Sequence, residues 1–125
     1  MITGTHAILY ADDPAAARAF FRDVLVLPNV DVHDGWLIFK TPPAELGIHP
    51  ASFDDGGGAP SGHHELFFMC DDVAATVTDL TAKGVVFTAP VEETRFGWMT
   101  RLQVPGAGEI GLYQPKHPTA YDLDG

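Results

Sequence analysis

His6, His49, Glu65, Glu109 and Tyr113 are the side chains in this sequence whose types and spacing suit chemistry. An imidazole changes charge near neutral pH, a carboxylate accepts protons, and a phenol donates one. Alternation along extended backbone groups them. His6 shares a face with Ile8 and Tyr10, Glu45 with His49, Phe67 with Met69, and Glu109 with Tyr113. A His6–Glu65 pair would be a carboxylate–imidazole couple able to do acid–base work. The plainer reading of His6 and His49 is a strand histidine bonded to backbone or water. His63 and His64 follow a glycine-rich stretch and are expected in solvent. Arg95 and Arg101 belong to a set of only 7 basic residues. Either could meet an anionic substrate or serve as a surface ion-pair partner. Trp36 and Trp98 could be a pair of aromatic walls or core residues; the core is the preferred reading for Trp36, and the edge of a cavity for Trp98.

These residues need elements to hold them. Residues 5–10 alternate like a strand and run into Asp12-Asp13-Pro14, a helix start: aspartate caps free N–H groups and proline suits the first turn. Ala17, Phe20, Phe21 and Val24 then form one buried helical stripe. Segments 30–33, 35–40 and 44–49 read as strands, with Asp34-Gly35 as the hairpin turn between the first two. Residues 52–62 carry Gly56-Gly57-Gly58 and read as a linker. No Lys-Ser/Thr follows the glycines, so they are not a phosphate loop. The pattern then returns: a strand over 64–70, Asp71-Asp72 capping a helix with Val73, Val77 and Leu80 on one side, a stop at Lys83-Gly84, and strands over 85–87, 97–104 and 109–114. The tail, 116–125, reads as irregular.

The halves match. At one offset Asp12-Asp13 falls on Asp71-Asp72 and His6 on Glu65. At a slightly larger offset Glu45-Leu46-Gly47-Ile48 falls on Glu109-Ile110-Gly111-Leu112, and Gly35-Trp36 pairs with Gly97-Trp98. The chain therefore reads as one domain of two modules, about 1–51 and 63–115. Each half is too small to bury both its helix and one sheet face.

This order of elements resembles the vicinal oxygen chelate superfamily, which includes glyoxalase I, fosfomycin-resistance transferases, bleomycin-binding proteins and extradiol dioxygenases. The resemblance covers residues 5–115. It rests on the His6 strand running into Asp12-Asp13-Pro14, on the 66–73 run, and on the closing Gly108-Glu109-Ile110-Gly111-Leu112-Tyr113 strand. It implies an α+β fold in which two tandem βαβββ modules form a curved mixed sheet around a cavity.

Metal enzymes of that superfamily carry His or Glu ligands on the first and last strand of each module. Carried over, those points are His6, Gly47, Glu65 and Gly111. His6 fits. Glu65 stands where a histidine is more usual, with His64 adjacent, and the two glycines have no side chain to offer. A metal displaced toward His49, roughly 7 Å along the strand, would be held by His6, His49 and Glu65. That set suits a divalent Fe, Mn, Zn or Ni ion and leaves positions open for an oxygenated substrate. The resemblance thus implies a glyoxalase-like lyase or a dioxygenase. Its metal would act as a Lewis acid, Glu109 or Tyr113 would move a proton, and Tyr10, Phe67, Met69 and Trp98 would contact the substrate. The alternative is a metal-free protein that binds a small molecule or antibiotic, as bleomycin-resistance proteins do; Gly47 and Gly111 would then either open room for a larger, flatter ligand or simply allow close backbone packing or a bulge. A homodimer is implied by resemblance alone.

Charge narrows the partners. The formal net charge is −10, with no basic stripe, which argues against nucleic acid. No apolar run is long enough to span a bilayer. Residues 1–6 carry neither a basic region nor an apolar core, so no targeting segment is expected. A single cysteine, Cys70, excludes an internal disulfide and fits a reducing cytoplasm.

Overall fold

A computed structural model describes Met1 and residues 4–52, 54 and 56–123. Ile2 and Thr3 of the opening segment, Phe53 and Asp55 of the expected linker, and Asp124 and Gly125 of the expected tail lie outside the described residues.

Asp13 starts the first helix: its Oδ1 accepts the Ala16 N–H at 3.0 Å, and Pro14 follows it. Helix α1 spans Pro14–Ala19 and continues as a wider π-type turn over Phe20–Val24. The apolar stripe is buried as its spacing predicts, with Ala17, Phe20 and Phe21 in the core and Val24 packed against it. The segment ends where Val26 adopts a φ of 56° and the Leu27 N–H donates back to the Phe21 carbonyl.

Strands β1 (Asn29–Asp31) and β2 (Leu37–Phe39) form an antiparallel hairpin. Asp34 and Gly35 both hold positive φ, 43° and 87°, the turn that an Asp-Gly pair favours. The Asp31 carboxylate accepts the N–H groups of His33 and Gly35 and braces it.

The second half supplies the main sheet. Strand β3 (Phe67–Met69) leads into helix α2 (Val73–Ala82), followed by β4 (Glu92–Glu93), β5 (Gly97–Gln103), β6 (Glu109–Pro115) and a short 3-10 turn at Ala120–Asp122. The order across the sheet is β3-β6-β5-β4, with β3 parallel to β6 and the other pairs antiparallel. Asp72 caps α2 through the Ala75 N–H, and the Gln114 side-chain carbonyl accepts the Val73 N–H at 2.8 Å, tying the helix to β6. Gly84, at φ +88°, ends the α2 region.

One core joins the halves. Phe20 and Phe21 pack with Val73, Val85, Leu102, Val104, Ile110 and Leu112, and the Phe21 ring lies 6.2 Å from Phe68 and 5.8 Å from Phe39. The Asp13 N–H also donates to the Gly106 carbonyl, in the turn between β5 and β6.

The α+β class is as expected, but its strands fall in two sheets. Residues 5–10 and 44–49 are not in strands, although their sequences alternate. A strand is a property of a pair, and among the described residues these segments have no ladder partner. Residues 85–87 are an intermediate case. Phe87 bridges Leu102, and the Thr88 and Gln103 N–H groups bond across, without a full strand.

Candidate functional site

Alternation gives the main sheet two unlike faces. Thr100, Leu102, Val104, Ile110, Leu112 and Phe68 face the helices. The other face carries Phe67 and Met69 from β3, Glu109, Gly111 and Tyr113 from β6, and Met99 and Arg101 from β5. Register aligns them in rows: Phe67, Gly111 and Arg101 in one, Met69, Tyr113 and Met99 in the next.

Each row is fixed by contacts. A Cβ on Gly111 would fall 2.0 Å from Cδ1 of Phe67, so the ring of Phe67 occupies the space above the glycine. The Arg101 guanidinium stands over that ring, 5.3 Å from its centroid. Arg101 Nη2 donates to Glu65 Oε1 at 3.2 Å, and Arg101 Nε lies 3.9 Å from Glu109 Oε1. Thr88 donates to the other Glu109 oxygen at 2.6 Å. Tyr113 makes an edge contact with Phe67, and its hydroxyl donates to the Phe96 carbonyl at 2.6 Å. Burial, and then the charge of Glu45, push the Tyr113 phenol above its ordinary value, so it stays protonated at neutral pH.

A hollow of about 560 Å³ opens at the carboxyl ends of β3 and β6, lined by Met69, Cys70, Asp71, Gln114, Pro115 and Tyr121. Burial is the main cause that raises the Cys70 thiol, which keeps it in its neutral form.

The structure gathers part of the expected site. Phe67, Met69, Glu109 and Tyr113 share the open face, with Glu65 joined to it through Arg101. Trp98 lies among the residues packed against the core, with Lys116 4.5 Å over its ring, on the opposite side of β5 from Met99 and Arg101. Tyr10 is exposed, as is His6, in the segment without a strand partner. His49 lies 6.2 Å from the Phe96 ring. The imidazole near Glu65 is His63, at 3.6 Å, rather than His6. Trp36, expected in the core, is 57% exposed and sits under Arg18. Gly111 does not open room for a ligand, because Phe67 fills it.

Arg101, expected as an anion contact or a surface ion-pair partner, is an ion-pair partner of Glu65 and Glu109, but its place at the centre of the face was not legible. The parity of residues 97–104 places it beside Met99. Only the β5–β6 register places it opposite Gly111, and the 41-residue sequence separation of Gln114 from Val73 hides a comparable contact. Cys70, Gln114 and Tyr121 around the hollow left no signal beyond their neighbours' positions.

The chain thus sets its helices on one side of a mixed sheet and leaves the other face open. The model of the Glyoxalase/Bleomycin resistance protein/Dioxygenase superfamily matches residues 5–104, and the chain belongs to that superfamily. No curated protein matches the sequence. Among solved structures, the chain is similar to TnmS3, an antibiotic binding protein from Streptomyces sp. CB03234, at 22% identity and a TM-score of 0.60, over 93% of this chain and 100% of that one. It is also similar to a lactoylglutathione lyase from Agrobacterium tumefaciens, at 22% identity and a TM-score of 0.57, over 90% and 96%. A superfamily member from Sphaerobacter thermophilus DSM 20745 matches at 20% identity and a TM-score of 0.60, over 90% and 98%. At these identities the likeness is one of fold.

Such a family raises the question of a divalent metal, and the donor set here does not fit one. Among the described residues no three His, Cys, Asp or Glu side chains converge as a metal site, so His6, His49 and Glu65 are not gathered. Two of the four family points are glycines, and the Glu65 carboxylate is already bonded to Arg101.

Proposed function

We propose that this protein binds a small, flat, aromatic molecule on the open face of its main sheet and sequesters it without a metal. The observation that carries this reading is the platform itself. The Phe67 ring lies over Gly111, with Tyr113, Met69 and Met99 in the adjoining row and a guanidinium fixed above the ring. Aromatic rings offer stacking area at low entropic cost, and methionines adapt to uneven ligand edges. The fold-level similarity to an antibiotic binding protein supports the same reading. Acid–base turnover has weaker support, because Tyr113 is held by the Phe96 carbonyl and Glu109 by Thr88 and Arg101.

A second copy of the chain fits the remaining surface. Ile8, Tyr10, Leu46 and Ile48 are 67%, 86%, 85% and 85% exposed, and they alternate along segments that pair with no strand among the described residues. A homodimer that pairs these segments would cover them and add walls to the open face. Among the described residues no helix is long and apolar enough to cross a membrane. The free thiol of Cys70 suits the cytoplasm.

The test is calorimetric titration, in chelator, against a panel of polycyclic aromatic antibiotics and single-ring metabolites. A binder is expected whose affinity falls at least tenfold in Phe67→Ala. If no compound binds, or if Phe67→Ala binds equally well, the reading fails. Metal-dependent lyase turnover would replace it with the enzyme reading.

A further inference from the structure

We infer that the segment following β6, residues 116–123, is a strap closed over the Tyr113 end of the open face, and that a flat aromatic ligand binds by displacing the His117 ring from Tyr113. This rests on the open face being the binding face, and it adds the device that governs entry to it.

Lys116 roots the segment. Its N–H donates to the Phe96 carbonyl at 2.8 Å, and its ammonium donates to Glu93 at 2.6 Å and to the Thr94 carbonyl at 3.1 Å. Beyond this root the chain stays beside the sheet. The His117 ring stands 5.8 Å from the Tyr113 ring, at an interplanar angle of 35°. Its Nδ1 lies 2.8 Å from the Pro118 carbonyl oxygen, which can only accept, so Nδ1 carries the proton and the ring is oriented. His117 is half-buried, while Lys116 and Pro118 on either side of it are exposed. Further along, the Ala120 N–H donates to Glu45 Oε2 at 3.3 Å, and Tyr121 joins the lining of the hollow with Met69. Met69 and Tyr113 are register partners, so the strap runs along the border between the stacking row and the hollow. Thr119 donates to Asp122 within the segment. The two ends of the strap are therefore held unequally. A charge-assisted bond fixes the root. Among the described residues, one ring contact and one 3.3 Å hydrogen bond hold the cover, and a stacking ligand can replace both. A ligand on Tyr113 needs the ring area that His117 occupies. Its apparent affinity is lowered by the fraction of molecules in which the strap is closed.

Acridone, a neutral fluorescent tricycle, is the probe, and proton NMR reads the strap directly. In ligand-free wild type, nuclear Overhauser contacts between the His117 and Tyr113 rings are expected, and saturating acridone should abolish them. By fluorescence, His117→Ala and Glu45→Ala should each bind acridone roughly threefold or more tightly than wild type, since each removes one hold on the cover. Circular dichroism melts show that the variants are folded, and if one does not melt cooperatively the other carries the comparison. Rings without contact in the free protein would overturn the inference, as would contacts that survive saturation. Acridone binding that depends on Phe67 but gains nothing in the folded variants overturns it and leaves the platform standing. No acridone binding by wild type or by either variant overturns it too. The platform itself is judged on the antibiotic panel and Phe67→Ala, so the two readings can fail separately.

Discussion

Gly111 is a packing residue whose role depends on one neighbour. Alanine there would drive a methyl into the Phe67 ring, whose Cδ1 lies 2.0 Å from the position of the new Cβ. Overpacking of this kind costs about 1–3 kcal/mol. Gly111→Ala should lower the urea midpoint accordingly, and Phe67→Ala in the same chain should recover much of the loss. A cost that persists without Phe67 would refute the pairing. Cys70 gives a pH prediction. Its thiol is raised chiefly by burial, so less of it is thiolate at any given pH than in a free thiol. Its reaction with a disulfide reagent should be slower at pH 8 than that of an exposed cysteine in a short peptide. It should still be climbing with pH where the peptide thiol has levelled off. At this scale the sequence was readable by parity: Phe67, Met69, Glu109 and Tyr113 share the face assigned to them. Partnership was not readable. Glu65 meets His63 and Arg101 rather than His6, because which strands are neighbours, and in what register, is set by the whole sheet.

Among the elements, the helices were the most legible, because their signals are local. Asp13 and Asp72 cap where expected, and the stripes at 17–24 and 73–80 face the core. The strands at 5–10 and 44–49 were legible as patterns but pair with no other strand among the described residues. The end of the first helical segment has a correctable flaw. Val26 holds a φ of 56° while 66% exposed, a conformation that crowds a β-branched side chain. Asparagine tolerates this region far better. Val26→Asn should therefore stabilise the protein by about 1 kcal/mol, seen as a higher melting temperature with no change in ligand binding. A lower melting temperature would show that the Val26 side chain contributes packing that outweighs its backbone cost.

At the scale of the whole molecule, the sequence repeat does not produce two equal halves. The second half carries the four-stranded sheet, and the first contributes a helix to its core and a separate hairpin. The repeat therefore identified the family more surely than it described the single chain. The exposed residues of segments 5–10 and 44–49 make association measurable. Light scattering behind size exclusion should give twice the monomer mass. Leu46→Glu together with Ile48→Glu should return the protein to one copy while its circular dichroism stays unchanged. A wild type that is monomeric at micromolar concentration would remove the second copy from the proposed function.

The bond from Asp13 to Gly106 also bears on synthesis. Phe20 and Phe21 leave the ribosome well before the strands that cover them, β5 and β6. Until those strands follow, the nascent chain must carry that aromatic pair uncovered, a state in which chains of this kind aggregate or engage chaperones. The yield of this protein in a cell is thus tied to how fast β5 and β6 are reached, and slow codons across residues 97–115 should cost more soluble product than slow codons ahead of residue 20.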